Sequence, residues 1–161
     1  MMYWTEISVD GNLKLRLVAS STGIRTIDFP PARPVECERD DRDPLLIELA
    51  RELESYFAGR LRRFEVPLDM QGTPFQMRVW RELEGIPFGE TRSYRQVAAA
   101  IGAENAVRAV GAANGANPVP IVVPCHRVIG SSGKLVGYGG GLELKKRLLE
   151  LEGSRAMGMK F

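Results

Sequence analysis

The chain's one histidine, His126, directly follows Cys125, one of only two cysteines in 161 residues. A thiol beside an imidazole is a nucleophile beside a base, and a cysteine becomes reactive once a neighbour or an electropositive setting favours its thiolate. The pair lies in the ten residues Pro120–Ile129, where β-branched Ile121, Val122 and Val123 are expected to bring it to a fixed point as a strand, with a loop at Gly130–Gly133 just after. Adjacent residues of an extended strand face opposite ways, so Cys125 and His126 cooperate only if the backbone turns or a water connects them. Hydrolases of the cysteine class draw nucleophile and base from separate parts of the chain, and this adjacency argues mildly against peptide hydrolysis. A third group is offered by Glu152, eight residues after Leu144 and so on the same face of a C-terminal helix. A carboxylate directed inward needs a partner, and His126 is the obvious one; a frayed helix end with Glu152 in solvent is the alternative. A buried structural cysteine beside a core histidine is the plain alternative for the pair.

Other chemistries fit poorly. Two cysteines and one histidine do not supply four structural zinc ligands, so no metal is expected. The glycines at 137, 139, 140 and 141 lack the Lys-Ser/Thr pair of a phosphate loop and the dinucleotide fingerprint. Gly139–Gly141 instead reads as a tightly packed loop before the last helix. Cys37, in a loop rich in proline and charge, reads as an incidental thiol with no bridge to Cys125.

The elements that must position these groups fall into two parts, giving an α+β chain. Residues 1–70 read as a small antiparallel β-sheet with a helix. Trp4, Ile7 and Val9, then Leu13, Leu15 and Leu17, flank a turn at Asp10–Asn12; Ile24, Ile27 and Phe29 suggest a third strand. Pro30–Asp43 is expected to be an exposed loop. Pro44 opens a helix with Leu46, Leu49, Leu53 and Tyr56 or Phe57 on one face and Gly59 as its stop. Leu61–Asp69 returns as a strand or linker.

Residues 72–155 read as a mostly helical domain around the Cys125 strand or loop. Thr73, Pro74 and Gln76 form the signature of a capped helix start, with Phe75, Val79, Trp80 and Leu83 as its apolar face. Thr91–Ser93 precedes a second helix broken at Gly102. A third, over Glu104–Ala113, carries Arg108 among alanines, valines and Gly111, and the two resemble a helix-turn-helix. Leu142–Leu151 forms the last helix, with Leu144, Leu148 and Leu151 inside and Lys145, Lys146 and Arg147 outward. The tail Arg155–Phe161 is expected to fray.

The net charge of +2 is unevenly divided. Residues 1–70 carry 10 basic and 13 acidic side chains, residues 71–161 carry 12 and 7, so only the second part is suited to a polyanion. No apolar stretch approaches the roughly 20 residues that span a bilayer, and the first residues have no leader pattern, so a cytoplasmic protein is expected.

The segment Gly115–Ile129 resembles the active-site signature of the O6-alkylguanine-DNA alkyltransferases. So do Phe75–Gln76 with Val79–Trp80, Ile86–Thr91, Ser93–Tyr94, Arg108–Gly111, and Tyr138–Gly141 leading to a helix that ends at Glu152. The order and spacing match across residues 72–152; the first 70 residues match only in type. The resemblance implies direct-reversal DNA repair: Cys125 accepts a methyl or other alkyl group from O6-alkylguanine, and from O4-alkylthymine, in double-stranded DNA, once per molecule and without a cofactor. His126 would take the thiol proton through water, Glu152 would orient the imidazole, and Asn117 would brace the turn carrying Cys125 and bond to the surroundings of Glu152. Tyr94 would donate to guanine N3. Arg108 would fill the space left by the extruded nucleotide, with Ser93, Arg95, Ala109, Gly111 and Asn114 along the DNA. Pro120, Val128, Tyr138 and Gly139 would line the base pocket. Gly139 stands where some relatives place a serine, so only backbone N–H groups could serve the leaving oxygen there. A monomer that could assemble cooperatively on DNA is expected.

Two other classes stay open. A lesion sensor would share the fold and grip without transfer, but such relatives replace the acceptor cysteine. A helix-turn-helix transcription factor would need polar base-reading side chains where this chain has mostly alanine and valine.

Overall fold

The computed structural model describes residues 1–154, and the expected fraying of Arg155–Phe161 lies outside the described residues. The chain divides into two compact units, Met1–Gln71 and Gly72–Phe161.

In the first unit, β1 (Tyr3–Val9), β2 (Leu13–Ala19) and β3 (Ile24–Asp28) form an antiparallel sheet, extended by a two-residue strand β4 (Glu38–Arg39) in the order β3-β2-β1-β4. The β1–β2 turn keeps Asp10 and Gly11 at positive φ, 51° and 89°, which the short side chain of aspartate tolerates and glycine favours. Alternation puts Leu15 and Leu17 at 0% exposure, and α1 (Pro44–Phe57) covers that face with Leu46, Leu49 and Leu53. One expectation shifts and one alternative is settled. The loop at Pro30–Asp43 contributes β4, which runs parallel to β1 because the connection crosses over rather than turning back. The return segment Leu61–Asp69 is a linker that touches the sheet at one bridge, Ile24 to Leu68.

The second unit is built from α2 (Pro74–Glu84), α3 (Tyr94–Ala100), α4 (Val107–Gly115) and α5 (Leu142–Leu151), with two short parallel strands, β5 (Arg92–Ser93) and β6 (Val128–Ile129). Reciprocal capping boxes start α2 at Thr73 and Gln76, and α3 at Ser93 and Gln96. Helix α4 begins later than expected, at Val107 rather than Glu104, since Ala106 has no side chain able to cap and residues 103–106 are spent in a turn. It also runs on to Gly115.

The run Pro120–Val123 is a tight loop rather than a strand. Ile121 sits at φ 76°, where a β-branched residue is strained, and its side chain is only 1% exposed, so packing holds the backbone there. Cys125–Arg127 is a 3-10 turn closed by Arg127 N–H to Pro124 O at 3.0 Å. Among the described residues no helix is long and apolar enough to cross a membrane.

Candidate active site

The Cys125–His126 pair is carried by that 3-10 turn rather than by a strand. Both side chains are buried, Cys125 at 5% exposure and His126 at 0%. Asn117 braces the approach: its Nδ2 donates to Val123 O at 2.7 Å and its Oδ1 accepts from Val119 N–H at 3.0 Å. The same amide also bonds the Cys125 thiol and works to lower its pKa.

Glu152 faces inward, 4% exposed, at the end of α5. One carboxylate oxygen, Oε2, lies 2.8 Å from His126 Nε2 and accepts from Arg127 Nη2 at 2.9 Å; the other, Oε1, accepts from Arg127 Nε at 2.8 Å. Arg127, a residue without a role in the sequence reading, also donates through Nη1 to Ile86 O at 2.6 Å and rests over the Phe88 ring. Gly89, at φ 84°, lets the same turn approach α5: a Cβ there would lie 3.3 Å from Glu152 O. The Ile86–Gly89 segment is thus a wall around the buried ion pair.

Burial works to raise the Glu152 pKa, but the hydrogen bonds from His126 and Arg127 overcome it and hold the group at about 2. Burial lowers the His126 pKa despite the carboxylate beside it, so the ring is neutral near pH 7. An ionised carboxylate only accepts, so Nε2 carries the hydrogen. The lone pair therefore resides on Nδ1, which is buried with no hydrogen-bond partner among the described residues. A base with its acceptor nitrogen free stands next to a thiol in the chain. Burial pushes the Cys125 thiol up to about 11, opposed by the Asn117 amide and the Lys145 charge, so the group is a protonated thiol near pH 7.

Lys145 is the largest departure from expectation. It was placed outward and is instead 0% exposed. The buried face of α5 is Lys145, Leu148, Leu149 and, beyond its last turn, Glu152, a spacing of three, four and seven; Leu144 and Leu151 are only half-buried. Lys145 Nζ donates to Val128 O at 2.7 Å, Val136 O at 2.8 Å and Gly137 O at 3.2 Å, tying the Cys125 segment to the loop beyond it. Burial brings its pKa down to about 8. The signal that could have found it is its separation of seven residues from Glu152, two helical turns on one face.

Strand pairing brings in Tyr94. Arg92 pairs with Val128 and Ser93 with Ile129, so α3 starts beside the Cys125 turn. Tyr94 is half-buried, its hydroxyl donates to Val136 O at 3.3 Å, and burial followed by the nearby Cys125 thiolate raises its pKa. Ser93 Oγ accepts from Gln96 N–H at 3.0 Å and is committed to capping α3. Arg95, Arg108 and Ala109 are exposed and Gly111 is half-buried. Asn114, expected along the DNA, is 5% exposed on the buried face of α4 with Val110 and Ala113, its Nδ2 donating to Cys125 O at 3.4 Å. Pro120 and Val128 are buried, Tyr138 half-buried and Gly139 exposed, with Gly141 N–H returning to Tyr138 O at 3.0 Å. Both cysteines are free thiols.

Sequence profiles match both units: the 6-O-methylguanine DNA methyltransferase DNA binding domain over residues 74–154 and the ribonuclease-like domain of the same description over residues 3–70. A methylated-DNA–protein-cysteine methyltransferase of Mycolicibacterium paratuberculosis is 63% identical over 133 residues, 81% of this chain and 79% of the relative. The relative of that name from Mycobacterium tuberculosis is 64% identical over 105 residues, 65% of this chain; the chain spans 64% of its length in that match. The crystal structure of a Mycobacterium tuberculosis O6-methylguanine methyltransferase superposes with TM-score 0.86 at 45% identity, covering 97% of this chain and 95% of the other. A crystal structure of the Mycobacterium tuberculosis protein in complex with DNA gives TM-score 0.86 at 44% identity over 96% of each chain.

Proposed function

The chain belongs to the 6-O-methylguanine DNA methyltransferase family, and on that premise we propose that it repairs duplex DNA by moving the alkyl group of an O6-alkylguanine onto Cys125, once per molecule. The observation that carries the reading is the buried imidazole of His126: Nε2 is held on the Glu152 carboxylate, and Nδ1 has no hydrogen-bond partner among the described residues, next in the chain to a buried thiol.

A base inside a duplex cannot reach a buried sulfur, so the lesion must leave the stack. Helix α4 presents Arg108 and small residues, Ala109, Gly111 and Ala112, which suits close approach to a minor groove and insertion into the vacated space. Arg95, exposed on α3, would meet a phosphate. In the pocket, Sγ attacks the alkyl carbon in line with the departing O6. The C–O bond breaks as the C–S bond forms, and the oxygen keeps its electron pair. The thiol proton passes through water to His126 Nδ1, and the resulting imidazolium is stabilised by Glu152, itself fixed by Arg127. The Tyr94 hydroxyl donates to guanine N3 as negative charge grows on the base, which then takes a proton from solvent and returns to the duplex as guanine, still bonded to its sugar.

The thioether formed has no visible route back to a thiol, so the protein is consumed without a cofactor. The same transfer extends to O4-alkylthymine, with the protein acting as a cytoplasmic monomer that could assemble cooperatively on DNA.

The test is intact-protein mass spectrometry and peptide mapping after incubation with a duplex carrying one O6-methylguanine. One methyl group on Cys125, no second turnover, and no adduct in Cys125→Ala are expected. Lesion-selective binding without an adduct would overturn transfer in favour of a sensor.

A further inference from the structure

Asn114 plays no part in the relay, yet it is one of the few polar side chains buried in this unit, on the face of α4 that carries Val110 and Ala113. Its amide is used at the nitrogen end. Nδ2 donates to Cys125 O at 3.4 Å. A second hydrogen bond joins the same amide to the Tyr94 hydroxyl, where it works to lower the pKa against burial. A bond with that effect is received by the phenol oxygen, so the donor is again Nδ2, and both of its hydrogens are then in use. Oδ1, by contrast, is buried with no hydrogen-bond partner among the described residues. A buried amide that leaves its acceptor unpartnered is placed by its donors.

The Tyr94 hydroxyl continues the line. Conjugation keeps a phenolic hydrogen in the plane of the ring, on one side of the C–O axis or the other. Asn114 donates to the oxygen, and the hydroxyl in turn donates to Val136 O at 3.3 Å. A donor already on the oxygen bars the hydrogen from that side. It also strengthens the hydroxyl as a donor on the other side, because bonds in a chain polarise one another. Gly111, one turn earlier on α4, faces the same ring, a Cβ there lying 3.9 Å from Tyr94 Cδ1, so the helix meets the tyrosine along its ring as well as at its hydroxyl.

We propose that Asn114 is a positioning residue for the transfer: through Nδ2 it fixes the direction in which the Tyr94 hydroxyl donates and ties that donor to the main chain of the acceptor cysteine. This rests on the transfer reading above, in which the base takes from Tyr94 the hydrogen now directed at Val136 O. Without Asn114 the hydroxyl turns between two directions, and the share of the rate that depends on it falls.

A double-mutant cycle tests this, because a residue acting through the Tyr94 hydroxyl loses its effect once that hydroxyl is gone. Single-turnover transfer from an O6-methylguanine duplex, at saturating protein, is compared in wild type, N114L, Y94F and the double variant. N114L is expected to slow transfer by about tenfold when Tyr94 is present and by about threefold or less in the Y94F background, the remainder reflecting the lost bond to Cys125 O. Equal slowing in both backgrounds, or no slowing in either, would overturn the proposal and leave Asn114 only as a brace for the Cys125 turn. Should N114L fail to fold by circular dichroism, N114M, with an adaptable side chain, carries the same cycle. Y94F as fast as wild type would overturn the proposal together with the role of Tyr94 at N3. A wild-type protein that forms no Cys125 adduct overturns the parent reading, and no variant is needed to see it.

Discussion

In the proposed transfer His126 has two jobs that pull in opposite directions. It must be neutral to take a proton, and it must tolerate the charge once the proton arrives. Burial secures the first by lowering its pKa, and the Glu152 carboxylate 2.8 Å from Nε2 secures the second. Replacing it with His126→Phe keeps the volume and removes the base. Single-turnover kinetics should show transfer slowed by about 10²–10⁴-fold, with lesion-DNA affinity within about twofold of wild type. Equal losses in both would mean that the ring is only a packing element. The His126–Glu152 link was legible from sequence because an inward carboxylate and a lone histidine call for each other. Arg127 was not, because nothing in the residue string distinguishes an arginine that ties down a buried carboxylate from one in solvent.

At the scale of elements, the site is a convergence of chain ends. The 3-10 turn supplies Cys125 and His126, the inner face of α5 and its C-cap supply Lys145 and Glu152, the Ile86–Gly89 turn closes around Arg127, and β5–β6 pairing delivers Tyr94. Lys145 bridges two of these through carbonyls of Val128, Val136 and Gly137. In Lys145→Met those carbonyls lose their donor, each at a cost of about 1–3 kcal/mol when left buried, partly offset by no longer burying a charge. The thermal midpoint should fall. Because the Lys145 charge also lowers the Cys125 pKa, the alkaline limb of the pH–rate profile should move upward in the variant. An unmoved profile would confine Lys145 to a structural role. Capped helices such as α2 were plain in the sequence, since Thr73, Pro74 and Gln76 act locally. The start of α4 was less so, as no capping side chain marks it.

For the whole molecule, the charge asymmetry and the buried ion pair make separate predictions. Lesion-DNA binding should weaken steeply with salt, as phosphate contacts release counterions, and Arg108→Ala should cost affinity; fluorescence anisotropy across a salt series checks both. A salt-independent affinity would contradict a backbone grip. Acid stability follows from Glu152, whose pKa is near 2 in the folded state against 4.5 as its ordinary value. The group stabilises the fold fully above pH 4.5, and that contribution, about 3 kcal/mol, is lost as pH falls from there toward 2. His126, its folded pKa depressed, adds a loss in the same direction below its ordinary value of 6.5. Denaturant titrations over this range should show declining stability, and Glu152→Gln should flatten the decline below pH 4.5.

The sequence by itself determined the α+β class, the hairpin and capped helices, the net positive charge of the second half and the candidate pair of thiol and imidazole. These rest on local periodicity, capping chemistry and residue scarcity, which act over a few positions. Only the tertiary structure decided that Lys145 and Asn114 point inward, that Arg127 shares Glu152 with His126, and that the β-branched run before Cys125 is a strained loop. Each of those outcomes depends on which backbone carbonyls and charges arrive from distant segments, and burial of a polar group is settled by the partner it meets rather than by its own neighbours in the chain.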